Sequence, residues 1–392
     1  MLPSCSITVG AVQGTRPTFE DRVDISANLK ATNPYIYVGI YDGHGGNNAA
    51  IMAQEFMLKT IESQPGFNEC KNIPECMKDA FLELNEKMRK ESATWPRLPK
   101  TIFPRPGTTA TCAFITEKMI HFANVGDSPL FIIYYNPETK AFSSKLCISL
   151  HNPDPLTPEY KRIINAGGNM TKRGSSYAVS CQHRMNYLRM TRALGDFWCQ
   201  NYSSGSTNGT EPILSPEPEC YSIPLNEDVV GVLIASDGFN LKEKKINKIV
   251  EKLNKEVMAG VAVNFAHRFI KELYNVGYGK MDNVSIVCIS FLNINNGIVH
   301  RGLTHFPLPS TSSTVSFNNL LTENPHRQLL IRNGQIGYCT TESEKFERIH
   351  PLESTRKHPE PGYISPALSY LPIAVKKLNS EIERYFRVMR KA

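Results

Sequence analysis

The chain has 392 residues, with 44 Lys and Arg against 37 Asp and Glu, a formal net charge of +7 and 41% hydrophobic residues. These values exclude a wholly disordered chain and suit one large domain with an extension, or two domains. No run approaches about 18 consecutive apolar residues and the start has no basic region followed by an apolar stretch, so neither a spanning helix nor a secretory leader is expected.

Short apolar runs rich in Val, Ile, Phe and Tyr, bounded by Gly, Asn and Asp, predict strands at 5–12, 21–27 and 35–41. Helical patterns follow at 46–62 and 74–92, the second carrying Met77, Phe81, Leu84 and Met88 on one face. Strands are predicted at 108–116 and 119–125, joined at Glu117–Lys118, then at 130–135 and 145–150. A helix is expected over 158–166. Residues 169–218, rich in Ser, Asn, Gly and Arg, read as a loop-rich excursion. A strand at 229–236, helices at 243–254 and 257–274, and a strand at 283–292 close the pattern. The last helix would present Val261, Phe265, Phe269 and Leu273. Antiparallel hairpins with long helices imply a layered α+β domain over 1–292.

Beyond Phe291 the periodicity fades, and 293–370 reads as an extended basic linker. Residues 293–392 carry 13 Lys and Arg against 8 Glu and no Asp, which leaves a net of only +2 for the rest. Over 371–392, Val375, Leu378, Ile382, Tyr385 and Met389 recur at helical spacing among basic residues. This is an amphipathic basic helix suited to a protein partner, an anionic surface or its own catalytic domain. Basic pairs here and at Arg356–Lys357 are compatible with nuclear import. The ten cysteines contain no C-x-x-C pair, so reduced thiols in a cytosolic or nuclear chain are expected.

The acidic residues fall at strand ends. Asp42, Asp127 and Asp237 follow apolar strands, Asp282 precedes one, and Glu20 and Asp21 stand just before another. Strand ends alternate along an antiparallel sheet, so these acids would gather on one edge. Carboxylates crowded without bases repel, and divalent cations that prefer oxygen ligands relieve the repulsion. In YDGHGG a tight turn brings together Asp42, the Gly43 carbonyl and His44, a carboxylate and carbonyl for a hard cation and a proton donor two residues on.

GTRPTFEDR, YDGHGG, GTTATCAF, ANVGDS, TRALGDF, ASDGF and MDNVSIVCISF follow one another over residues 5–292. In order and spacing they resemble the metal-dependent, type-2C serine/threonine protein phosphatases. The resemblance implies an α+β fold in αββα layers, an antiparallel β-sandwich flanked by helices. It implies hydrolysis of phosphoserine and phosphothreonine with two Mn²⁺ or Mg²⁺ per active site. Asp42 would bridge the ions with the Gly43 carbonyl on one of them, and Asp237 and Asp282 would ligate the second. Glu20 and Asp21 would hold metal-bound waters, and Asp127 would ligate a third, weaker metal. Arg16 would clamp the phosphate and His44 would protonate the leaving oxygen. The ions would lower the pKa of a bridging water, the nucleophile for phosphorus.

GFNECKNIPECMKDAF, the long stretch before TRALGDFW, and SPEPE after it resemble the Wip-type (delta) branch. That kinship implies a basic flap, here with Lys172, Arg173, His183, Arg184 and Arg189, of which Arg173, Arg184 and Arg189 are the substrate-binding candidates. It also implies work in the nucleus or cytoplasm opposing checkpoint and DNA-damage kinases. The sequence departs from the family at Asn240–Leu241, where Trp-Asp is usual; this removes an acid from the third metal site. Pro129 stands where Arg is common. Phosphoproteins are the expected partners, with no nucleic acid needed for catalysis, and the chain is expected to act as a monomer. The competing reading is a phosphatase-fold scaffold that binds phosphoproteins, and joint retention of Arg16, Asp42, His44, Asp237 and Asp282 argues against it.

Overall fold

The computed structural model describes residues 2–29, 31–69, 72–97, 105–181, 187–200, 212–258, 265–275, 282–291, 315–316, 327–332, 335–340 and 343–347. The chain opens with β1 (Cys5–Val12), β2 (Arg22–Asn28), β3 (Tyr35–Tyr41) and β4 (Gly43–His44), then α1 (Asn48–Glu62) and α2 (Ile73–Glu91). Next come β5 (Gly107–Thr108), β6 (Ala110–Ile115), β7 (Met119–Val125), β8 (Leu130–Asn136), β9 (Ala141–Leu146) and α3 (Pro158–Asn165). The hairpin β10 (Gly168–Arg173) and β11 (Ser176–Cys181) precedes β12 (Leu194–Gly195), α4 (Phe197–Gln200), β13 (Glu219–Pro224) and β14 (Val229–Ala235). There follow α5 (Glu243–Met258), α6 (Phe265–Asn275), β15 (Val284–Phe291), β16 (Val315–Ser316), β17 (Arg327–Arg332), β18 (Gln335–Thr340) and β19 (Ser343–Glu347).

Two antiparallel sheets face each other. One runs β19-β18-β17-β1-β15-β14-β8-β9, the other β13-β7-β6-β3-β2-β16. Strand alternation builds the layers. On β3, Ile36, Val38 and Ile40 enter the core between the sheets, whereas Tyr35, Tyr37 and Tyr41 enter the core beneath α1 and α2. On β15, Val287, Ile289 and Phe291 face the partner sheet, and Val284, Ile286 and Cys288 face α5 and α6. Small residues on β1 let α6 come close: a Cβ on Gly10 would sit 2.6 Å from Ile270 Cδ1. The order is helix, sheet, sheet, helix, the αββα arrangement expected from the sequence.

Helix α2 starts where Asn72 accepts a hydrogen bond from the Glu75 amide, with Pro74 in the first turn. Met77, Phe81, Leu84 and Met88 are all fully buried, as the helical spacing predicts. In α6, Phe269 and Leu273 are buried and Phe265 packs at the margin of the same core, while Val261 lies outside the described residues.

Three expectations differ from the structure. The strand predicted at 145–150 is β9, Ala141–Leu146, paired with β8 across a turn in which Asn136 Oδ1 accepts from the Glu138 and Thr139 amides. The excursion at 169–218 contains a regular hairpin, β10–β11. The linker expected over 293–370 instead contributes β16 to β19 among the described residues. Strand β17 pairs with β1 from Cys5↔Ile331 to Ile7↔Leu329, and Leu329 and Ile331 are fully buried in the core between the sheets. The amphipathic helix expected over 371–392 lies outside the described residues. No helix among the described residues is long and apolar enough to cross a membrane. Cys5, Cys112, Cys147, Cys220 and Cys288 take part in no disulfide.

Candidate active site

Strand registers decide where the acids go. Arg22 at the start of β2 faces Tyr41 at the end of β3, and Ala110 at the start of β6 faces Val125 at the end of β7. Glu20, Asp21, Asp42 and Asp127 therefore emerge at one end of that sheet. In the other sheet Ala235 faces Ile286, which puts Asp237 and Asp282 at one end as well. The two ends meet. Ser236 Oγ donates to Asp21 Oδ2 at 2.8 Å, and the Asp237 amide donates to Asp42 Oδ2 at 3.3 Å. Glycine permits a further close approach, since a Cβ on Gly43 would lie 2.5 Å from the Glu20 carbonyl oxygen.

The crowding shows in the proton affinities. Burial, then Asp237 and Asp282, push the Asp21 carboxyl up to about 7 despite the hydrogen bond from Ser236. Burial, then Asp237, push Asp127 up to about 7. Asp42 is raised well above the carboxylate range by burial and by Asp237, Asp21 and Asp127, and Asp237 by burial and Asp282. Two buried oxygens, Asp21 Oδ1 and Asp127 Oδ1, have no hydrogen-bond partner. Such an edge fits hard divalent cations, which supply both the missing charge and partners for orphaned oxygens. Among the described residues, no three His, Cys, Asp or Glu side chains are arranged to hold an ion unaided.

The loop between β1 and β2 is pinned by Asn283, a residue that the sequence reading leaves without a role. Its Nδ2 donates to the Gln13 and Thr18 carbonyls at 2.9 and 3.0 Å, and its Oδ1 accepts from the Glu20 amide at 2.8 Å. This holds Arg16 at the acidic edge, where its guanidinium donates to Asp282. Burial opposes the charge on Arg16, but Asp282, Asp237 and Asp42 outweigh it and raise its pKa.

His44 stands on the short strand β4 beside β5. Its Nε2 lies 2.5 Å from Asp196 Oδ2. Burial opposes protonation of the ring, yet Asp196, and then Asp127 and Glu20, hold its pKa above the ordinary value. Asp196 lies within the TRALGDF motif but is paired across 152 positions.

The family model for protein phosphatase 2C matches residues 6–259. The chain belongs to the protein phosphatase 2C family. Human Protein phosphatase 1B is 27% identical over 307 residues, a match covering 73% of this chain and 57% of the human protein. Probable protein phosphatase 2C 42 of Oryza sativa is 25% identical over 311 residues, covering 72% of this chain and 83% of the rice protein. The chain thus spans little more than half the length of the human relative. A solved structure of serine-threonine phosphatase 2C from Toxoplasma gondii superposes with a TM-score of 0.61 at 15% identity, covering 74% of this chain and 96% of that one. A C. elegans sex determining protein superposes with a TM-score of 0.56 at 23% identity, covering 74% and 66%. These two show the shared fold.

Within this protein phosphatase 2C fold the basic flap candidates separate. Lys172 and Arg173 lie at the exposed tip of the β10–β11 hairpin. The Arg173 guanidinium sits 4.6 Å from the Tyr187 ring centroid, and Arg189 donates to Ser176 Oγ. These contacts stay within the hairpin region and do not reach the acidic edge. His183 and Arg184 lie outside the described residues. Leu241, where the sequence departs from the usual Trp-Asp, is buried in the core with Phe239, α5 and α6.

Proposed function

We propose that the chain is a metal-dependent serine/threonine protein phosphatase whose active site is the acidic edge. The observation that carries this reading is the gathering of Asp21, Asp42, Asp127, Asp237 and Asp282 beside Arg16 and His44. Asp42, Asp237 and Asp282, with the Gly43 carbonyl, are the groups that would hold two Mn²⁺ or Mg²⁺ ions, with Glu20 and Asp21 behind them through water. Bound there, the ions supply a water ionised near neutral pH and positive charge for the phosphate oxygens.

The chain's own residues do the rest. Arg16, on a loop fixed by Asn283, turns its planar fork from Asp282 to two phosphate oxygens. His44 gives a proton to the Ser or Thr oxygen as the P–O bond breaks, so that the alkoxide leaves as an alcohol. The hairpin arginines Arg173 and Arg189, with Arg184, favour substrates with a second phosphate or acidic flank. The delta-branch motifs support a nuclear or cytoplasmic role opposing checkpoint kinases.

The test is phosphate release from matched phosphoserine, phosphothreonine and phosphotyrosine peptides with Mn²⁺ and with EDTA. Turnover of the first two with Mn²⁺ alone is expected. Binding of phosphopeptides without turnover would favour the scaffold reading.

A further inference from the structure

Asp196 sits at the centre of a buried polar assembly that the reaction as described does not use. It is 1% exposed. Its Oδ2 faces His44 Nε2 at 2.5 Å, and its Oδ1 accepts from Trp198 Nε1 at 3.0 Å. Its φ of +47° is a left-handed conformation, costly for a residue with a Cβ. The surroundings enforce it. The Asp196 amide donates to the Pro106 carbonyl at 3.0 Å, and the Gly195 amide donates to Asn85 Oδ1 on α2 at 3.0 Å. Asn85 Nδ2 donates to Gln200 Oε1 at 2.9 Å, and Gln200 Nε2 donates back to the Ala193 carbonyl at 3.1 Å. The loop from Ala193 to Gln200 is thereby clamped to α2. The fit around the pair admits no side chain at Gly107, where a Cβ would lie 1.9 Å from Asp196 Oδ2 and 2.6 Å from His44 Nε2.

We propose that Asp196 is a positioning residue for His44: it accepts the Nε2 proton, fixes the ring, and leaves Nδ1 as the nitrogen that serves the leaving oxygen. This rests on the reading of His44 as proton donor. The other ring nitrogen, Nδ1, has no hydrogen-bond partner and is buried on a side chain that is 25% exposed, so the proposal requires the arriving substrate to uncover it. In the step, the Nδ1 proton passes to the Ser or Thr oxygen as the P–O bond breaks. The ring is left neutral, its Nε2–H still on Asp196, and Asp196 exchanges no proton.

Asp196→Asn keeps the shape and inverts the hydrogen bonding. Indole N–H is a donor only, so the new amide oxygen stays with Trp198 and the amide NH₂ turns to His44. Nε2 must then accept, and the neutral ring carries its proton on Nδ1. Nitrogen-resolved NMR of the metal-free chain reads this directly. At a pH high enough for the ring to be neutral, His44 is expected to carry its single proton on Nε2 in the wild type and on Nδ1 in Asp196→Asn, with the other amide signals unmoved as a check on folding.

With Mn²⁺, Asp196→Asn is expected to lower kcat on a phosphoserine peptide by about 10²-fold or more, leave KM unchanged, and affect p-nitrophenyl phosphate little. Added to His44→Ala it should cost less than about twofold. Adding Trp198→Phe to Asp196→Asn frees the amide to turn back and should restore part of kcat and the Nε2 proton. An unmoved tautomer, equal losses on both substrates, or a further large loss on top of His44→Ala would overturn the proposal. Wild-type peptide turnover by His44→Ala would instead overturn the donor reading and the proposal with it. The NMR arm would still report whether Asp196 grips the ring.

Discussion

Asp21→Asn tests whether the acidic edge costs stability until cations fill it. Asp21 is fully buried and its carboxyl is pushed up to about 7. Between the unfolded value and 7 the native metal-free chain binds a proton that the unfolded chain has released. Stability is therefore greatest at the acid end and falls as pH rises through about 7. A shift of about 3 pH units at about 1.4 kcal/mol each sets a ceiling of about 4 kcal/mol above pH 7. The Asn side chain removes the charge but pairs less well with Ser236 Oγ, a loss of about 1 kcal/mol. Metal-free Asp21→Asn should therefore be about 2–3 kcal/mol more stable than wild type at pH 8 and about equal to it at pH 4.5. Glu159 and Glu219, held at about 2 by Arg192 and Arg162 and by His151, stay ionised across this range and do not confuse it. Urea unfolding in EDTA at the two pH values makes the measurement. Destabilisation of similar size at both would mean instead that Asp21 serves the fold as an ordinary hydrogen-bonded carboxylate, carrying no penalty from its charge.

Other expectations follow from the same edge and from the tail. Asp42→Asn should abolish Mn²⁺-dependent turnover while circular dichroism and the urea midpoint in EDTA hold or rise. Arg16→Ala should weaken phosphopeptide capture by about 1.5–3 kcal/mol, read as KM. His44→Ala should lower kcat by ~10²–10⁴ on phosphoserine peptides and far less on p-nitrophenyl phosphate, whose leaving group needs no proton. Leu329→Ala, on a strand paired with β1, should lower stability by about 2–5 kcal/mol in urea without changing KM, and unchanged stability would place β17 off the sandwich. Arg173→Gln with Arg189→Gln should slow only peptides with acidic flanks, by a margin that shrinks as salt rises through the range where screening acts within about 10 Å.

Much of this was legible in the sequence because the relevant signals are local. Strands β1 and β3 have their predicted bounds, since Cys5–Val12 and Tyr35–Tyr41 are apolar runs closed by turn residues. The acids at the strand ends converge because antiparallel register fixes which ends share an edge. What stayed hidden depends on distant partners or on exposed polar strands. Ala141–Leu146 is largely exposed, and β10 is mostly polar, so neither carries a hydrophobic pattern. The strand at Arg327–Arg332 is short and meets β1 across more than 300 positions. Asp196 was inside a motif already singled out, yet only the fold brings it to His44. The function of Asn283 likewise appears only when its amide is seen bridging three backbone groups of the β1–β2 loop.

On the proposed reading, the carboxylate edge holds the divalent ions that drive phosphate ester hydrolysis. Phosphate release from a phosphothreonine peptide, followed against Mn²⁺ concentration for the wild type and Asp237→Asn, tests it most directly. Saturable, Mn²⁺-dependent release by the wild type and none by the folded variant is the predicted result. Wild-type rates from Asp237→Asn at saturating Mn²⁺, or equal release by the wild type in EDTA, would contradict it.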